Sequence, residues 1–190
     1  MLGRKTGFVA MVVVLAACAA DKPEPTGVEV RTPLFAVGGN SGGNSVNNLG
    51  THLTGAEEVP PRNTPAQGQA IFRVRDDGDV DYRLIASNID NVFMAHIHCG
   101  ERGSNGGILI WLYKEDGTRA PVGGGPQNGV LATGTFTPTG SCAGKPLLQA
   151  MREGNTYVNV HTDDGVDPQN TGPGDFPGGE IRGQLGDKNN

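Results

Sequence analysis

The chain has 190 residues, of which 18% are charged and 36% hydrophobic, with 31 glycines, 13 prolines and a formal net charge of −5 at pH 7. An acidic balance of this kind excludes a nucleic-acid surface built on excess Lys and Arg. The length suits one domain with short flanking segments.

Residues 1–17 comprise a basic start (Arg4, Lys5), an apolar stretch from Phe8 to Leu15 and small residues leading to Cys18. This is the layout of a secretion signal, with an apolar part too short to span a bilayer. Leu15-Ala16-Ala17-Cys18 resembles the lipobox of bacterial lipoproteins, which implies that Cys18 becomes the acylated first residue of the mature protein. Several acyl chains on one residue exceed what stable membrane attachment requires, each buried methylene contributing ~0.8 kcal/mol. Ala19 stands where lipoproteins retained at the inner membrane carry aspartate, so the resemblance implies the bacterial cell envelope and an outer-membrane destination. The alternative is an ordinary cleaved signal with an incidental cysteine. Cleavage leaves 13 basic and 20 acidic side chains, a net charge of −7.

Residues 18–49 contain Lys22-Pro23-Glu24-Pro25 and a Gly/Asn/Ser run from Gly38 to Ser45, with few apolar residues to bury. That composition predicts a flexible tether. Residues 50–187 form the single domain, and 188–190 are a short tail. Ala70–Arg75 alternates, Asp76-Asp77-Gly78-Asp79 supplies turn chemistry and Val80–Ala86 alternates again, which predicts a hairpin. The turn is no calcium loop, because its glycine is misplaced and no bidentate glutamate follows. Further strands are predicted at Val92–His98, Gly107–Tyr113, Gly129–Thr137, Tyr157–His161 and Glu180–Leu185, with one helix at Pro146–Glu153 stopped by Gly154. Short strands, abundant glycine and one brief helix indicate an all-β, antiparallel Greek-key sandwich or barrel.

Two cysteines remain beside Cys18. In an oxidising compartment Cys99 and Cys142 are expected to form one disulfide, closing a loop long enough to stabilise the fold by about 4 kcal/mol in the chain-entropy model. The alternative is a free Cys99 thiolate ligating a metal beside the histidines.

The chemistry centres on the histidines. In Ala95-His96-Ile97-His98, strand alternation puts His96 and His98 on one face, ~6.6 Å apart along the backbone. In Tyr157-Val158-Asn159-Val160-His161 the same alternation groups Tyr157, Asn159 and His161. If the two strands meet, three imidazoles converge on one ion. Neutral imidazoles suit copper and zinc, and the divalent affinity order favours copper in an unselective site. Asp163 or Asp164 is positioned to orient a ligand by accepting its second N–H. The bland alternative is that the histidines bond loop backbone and support a sheet edge. Asp163, Asp164, Asp167 and Asp175 share a Gly/Pro-rich loop, where solvated carboxylates are commoner than calcium sites. No nucleophile elbow or phosphate loop is present, and Glu57 and Glu58 face opposite ways in an extended segment, so a catalytic carboxylate pair is not expected.

Five short motifs, in order, resemble the chordin-type CHRD domain: Leu53-Thr54-Gly55-Ala56-Glu57-Glu58-Val59-Pro60-Pro61, His96-Ile97-His98 with Gly100, Asn105-Gly106-Gly107, Gly154–Thr162, and Gly179-Glu180-Ile181-Arg182-Gly183-Gln184-Leu185. The resemblance implies a secreted binding module with nothing catalytic. A more distant resemblance links His96, His98, Val160-His161, the following acidic loop and Arg182 to copper–zinc superoxide dismutases. It implies copper at His96, His98 and His161, with Arg182 beside an open coordination position. The loop Glu101–Gly106 holds no histidine, so neither a zinc subsite nor the bridging imidazole of that family is expected. The expected function is therefore a lipid-anchored extracytoplasmic binding module, with one copper ion as its cofactor and an unidentified protein or matrix partner. The competing expectations are a copper-only redox enzyme acting on superoxide or another small oxidant, and a metal-free adhesion module working through loops such as 114–128.

Overall fold

The structure, a computed structural model, describes residues 47–114 and 120–186. The expected signal 1–17, the lipidation site Cys18, the tether up to residue 46, part of the 114–128 loop and the tail 188–190 lie outside the described residues.

In chain order the elements are β1 (Asn48–Thr54), a 3-10 turn (Gly55–Glu57), β2 (Gln67–Val74), β3 (Val80–Asp90), β4 (Val92–Cys99), β5 (Ile108–Tyr113) and β6 (Pro126–Phe136). The two-residue strands β7 (Ser141–Cys142) and β8 (Lys145–Pro146), α1 (Leu147–Arg152), β9 (Thr156–Thr162) and β10 (Ile181–Gln184) follow. Eight strands form one antiparallel sheet in the order β5-β4-β9-β10-β1-β2-β3-β6, and β7 pairs with β8 alone. The outer strands β5 and β6 approach each other, so the sheet nearly closes into a barrel. Around that ring β3 to β6 stand in the order β3-β6-β5-β4, which is Greek-key connectivity.

Local sequence accounts for most of these elements. β2 and β3 alternate buried and exposed side chains, as a sheet with one face in water requires. Their turn closes through Arg75 N–H to the Asp79 carbonyl and Gly78 N–H to the Arg75 carbonyl, with Gly78 at φ +91°. β1 carries no strong strand pattern; it exists because Asn48–Thr54 pairs residue by residue with Gln67–Arg73 of β2. Asn48 and Leu49, expected in the tether, therefore begin a strand. Leu53, Phe72, Leu84, Ile97, Val158 and Ile181 fill the barrel, and the Tyr82 hydroxyl donates across it to the Leu112 carbonyl at 2.7 Å. Helix α1 covers the core with Leu147, Ala150 and Met151. The predicted helical stretch is one residue longer at each end than α1, and Gly154 beyond it takes φ +80°.

Cys99 and Cys142 are disulfide-bonded, with Cα atoms 5.5 Å apart and a sequence separation of 43. The bond ties the end of β4 to the β7–β8 hairpin and leaves no Cys99 thiolate for a metal. β4, β9 and β10 are buried along almost their whole length. Ala95, Ile97, Val158, Val160 and Ile181 face the barrel core. The alternating residues between them form a second, polar layer on the outer wall.

Candidate metal centre

The three histidines share that outer layer because of strand register. In the antiparallel β4–β9 pair, Met94 lies opposite His161, His96 opposite Asn159, and His98 opposite Tyr157. Opposed residues share a face, so His161 stands diagonally next to His96. Ring centroids are 5.3 Å apart for His96–His98, 5.0 Å for His96–His161 and 6.0 Å for His98–His161. His96 Nδ1 lies 3.2 Å from His161 Nε2, and one candidate ligand atom from each ring lies within 4.8 Å of the others. Two nitrogens on one ion at ~2.0–2.1 Å stand roughly 3–4 Å apart, a spacing these rings reach with small rotations. His52, the fourth histidine, is exposed on β1.

Hydrogen bonds set the tautomers. His98 Nδ1 contacts the Gly106 carbonyl at 2.9 Å, and His161 Nδ1 contacts the Pro177 carbonyl at 2.9 Å. A carbonyl only accepts, so both rings carry their proton on Nδ1 and leave Nε2 as a lone pair, that of His161 directed at His96. His98 Nε2 is buried and makes no hydrogen bond of ordinary geometry among the described residues, although the Asn159 side chain acts on the ring as a hydrogen-bond partner. A buried imidazole lone pair is the donor a borderline cation takes, so the three-histidine group fits a metal ion. His96 Nδ1 faces His161 Nε2; were an ion held through this nitrogen, His96 would carry its proton on Nε2.

These two carbonyls replace the acceptors expected from sequence. Asp163 and Asp164 instead close local turns, each Oδ1 accepting the backbone N–H two residues on, from Gly165 and Val166 at 2.8 Å. Arg182 is also placed differently from the expectation. Tyr157 stacks on His98, with centroids 5.0 Å apart and rings 8° from parallel, and Arg182 Cζ sits 3.4 Å from the Tyr157 centroid. The guanidinium, 1% exposed, donates to the carbonyls of Glu101 and Ser104 and to Asn105 Oδ1. Its work is to hold the 100–107 loop. Asn105 Nδ2 donates onward to the Val59 carbonyl at 2.8 Å, joining that loop to the 55–62 segment. Gly106 is clamped between the Tyr157 hydroxyl, which accepts its N–H, and His98, which donates to its carbonyl. A Cβ at Gly106 would lie 1.6 Å from the Cys99 carbonyl oxygen, so only glycine brings the acceptor this close.

Trp111 on β5 meets His96 edge-on at 4.2 Å between centroids, and Phe93 meets His161 at 6.3 Å. Glu180, fully buried, accepts from the hydroxyls of Thr64 and Thr162 and from Gly174 N–H, which ties the 163–180 loop down over the histidines. Burial holds His98 below the usual imidazole range, with Arg182 pulling the same way against the Gly106 carbonyl. The ring therefore stays neutral, the ligating form, into mild acid.

The sequence reading missed Glu58. It is buried beside Asn159, and burial pushes it up to about 7 despite the opposing pull of Arg182 and Arg62. A Cβ on Gly179, which has φ +126°, would lie 2.5 Å from Glu58 Oε1 and 2.7 Å from Asn159 Nδ2. Only the Glu58 position in a motif ending Pro60-Pro61, and the paired Gly178-Gly179, hinted at this approach.

Together these features define a class: a Greek-key β-barrel with a loop-covered three-histidine cluster on its outer wall, able to hold a metal ion. Residues 49–185 match the CHRD domain family model, and the chain belongs to that family. No curated protein and no solved structure matches the chain significantly.

Proposed function

We propose that this CHRD domain is an extracytoplasmic binding module that holds one copper ion through His96 Nδ1, His98 Nε2 and His161 Nε2. The observation that carries the reading is the pair of backbone carbonyls, Gly106 and Pro177, which hold the Nδ1 protons of His98 and His161 and leave each Nε2 as a lone pair, in a cluster whose ligand atoms lie within 4.8 Å of one another. Copper is the choice of the affinity order for an all-imidazole set. When bound, the ion supplies a Lewis-acidic, redox-capable centre. The protein's part is to fix ring tautomers, exclude water and keep His98 neutral. Burial of all three rings favours retention of the ion over turnover of an external oxidant. The lipobox resemblance supports attachment to the envelope through Cys18, with the outer membrane as the destination and a protein or matrix component as partner.

Titrating the metal-free protein with Cu²⁺ tests the site. One equivalent is expected, lost in the His96→Ala/His98→Ala/His161→Ala variant. Absence of stoichiometric uptake, or uptake unchanged in that variant, overturns it. Cys18→Ser is expected to move the protein from the membrane fraction to the soluble one.

One observation favours a second reading. The 3.2 Å His96–His161 contact is itself a hydrogen bond in the metal-free protein, Nδ1–H donating to Nε2. A metal-free scaffold would use it to fasten β4 to β9, and would then lose stability, but no partner binding, in the triple variant.

A further inference from the structure

The β9–β10 loop holds a second group of ligating atoms, separate from the histidines. One carboxylate oxygen each from Asp163, Asp164 and Asp175 lies within 4.8 Å of the other two. No lysine or arginine among the described residues pairs with any of them. Like charges this close repel unless a cation stands among them.

Asp175 is the informative member. It is 2% exposed, and its Oδ2 accepts both the N–H and the hydroxyl of Thr171, at 2.8 and 2.9 Å. Its Oδ1 is buried with no hydrogen-bond partner among the described residues. An orphaned carboxylate oxygen is costly to bury. Asp163 and Asp164 are half-buried, and each spends Oδ1 on its own turn, so Oδ2 takes no part in the turn hydrogen bond. Asp167 of the same loop is exposed and outside the group.

We propose that Asp163, Asp164 and Asp175 form a site for a hard divalent cation, calcium by its chemistry. All-oxygen ligands select against copper and for calcium or magnesium. Two oxygens on opposite sides of a calcium ion stand about 5 Å apart, which accommodates this group. A Gly/Pro-rich loop supplies the irregular geometry that calcium accepts and the strict octahedron of magnesium does not. The ion would brace the segment that continues from Asp175 through Phe176 to Pro177, whose carbonyl fixes His161.

Calorimetric titration of the chelator-treated protein with CaCl₂ tests the site. One equivalent is expected, with slower amide exchange across 163–180 on binding. Asp175→Asn is expected to weaken uptake at least tenfold, while the triple histidine variant binds calcium as the parent does. If Asp175→Asn fails to fold by circular dichroism, the Asp163→Asn/Asp164→Asn variant, altered at half-buried positions, takes its place with the same expected loss. No heat of binding up to 10 mM calcium, equal preference for magnesium, or uptake unchanged in these variants overturns the proposal. Loss of calcium uptake in the histidine variant would also overturn it, since the ion would then belong to the imidazole site.

Discussion

Strands β2 and β3 bury alternate residues, whereas β4, β9 and β10 are buried at nearly every position, although all belong to one antiparallel sheet. In the first region the outer face meets water, so its polar side chains are hydrated and the pairs they make, such as Arg75 with Asp81 and Thr135 with Asp81, are screened by solvent. In the second, the 55–62, 100–107 and 163–180 loops cover the outer face, and every polar group there needs a partner from the protein. The Arg182–Tyr157–His98 stack, the Glu180 hydrogen bonds and the two imidazole-to-carbonyl contacts are that partnership. Covering a sheet face converts it from a surface into a site.

Substitutions that compare the two regions sharpen or break this distinction. The largest effect is expected at Gly106→Ala, because the new methyl would lie 1.6 Å from the Cys99 carbonyl oxygen. We expect a loss of roughly 4 kcal/mol in denaturant unfolding and weaker copper uptake, as the Gly106 carbonyl leaves His98. The counterpart is Gly78→Ala in the β2–β3 turn, where nothing lies within 4 Å; only its positive φ opposes the change, at about 1–2 kcal/mol. Equal losses at the two positions would end the comparison.

Arg182→Met keeps the stem over Tyr157 but strands the acceptors at Glu101, Ser104 and Asn105, for an expected loss of roughly 3 kcal/mol. Leu84→Ala, at a fully buried core position on β3, is expected to cost about the same, roughly 3 kcal/mol. Copper titration separates them: Arg182→Met weakens uptake, and Leu84→Ala leaves it unchanged.

A third test uses pH. The folded pKa of Glu58 lies near 7, above the ordinary 4.5, so its protonation favours the fold. That contribution is complete below pH ~4.5 and is lost as pH rises through ~7. Glu58→Gln is therefore expected to exceed the parent in stability at pH 8 by on the order of 3 kcal/mol, and to match it near pH 4.5. His98 runs the opposite way, because its folded pKa lies below the ordinary 6.5. Its contribution is complete above ~6.5 and lost as pH falls toward the folded value. Unfolding curves at pH 4.5, 6 and 8 check both signs. The smallest effect is expected at Asp81→Asn in the hydrated region, where the contact to Arg75 is 3.7 Å between half-exposed side chains; its loss should stay below ~0.5 kcal/mol.

Legibility in the sequence follows the same division. The β2–β3 hairpin is readable because its alternation reports a single buried face, and the turn residues mark its end. β1 is not, since Asn48-Leu49-Gly50-Thr51-His52 has little pattern of its own and depends on β2 for its hydrogen bonds. In β4 and β9 alternation puts the histidines on one face in both readings. The sequence points to Asp163 and Asp164 as partners of the rings because carboxylates announce themselves by residue type, while the acceptors found, the carbonyls of Gly106 and Pro177, belong to a group every residue has. The resemblance implies Arg182 beside the metal; the structure sets it on the far side of Tyr157, whose ring stacks on His98.

Taken alone, the chain determined the all-β class and the shared face of His96 and His98, since period-two alternation is a property of short segments; the structure added the Cys99–Cys142 bond, for which the sequence left a free Cys99 open. Only the tertiary structure decided that His161 stands 3.2 Å from His96, that the 100–107 and 163–180 loops supply the acceptors, and that Glu58 is buried beside Asn159. Those outcomes depend on register between strands some 65 residues apart and on which backbone carbonyl a folded loop presents, and neither is encoded in any local run of residues.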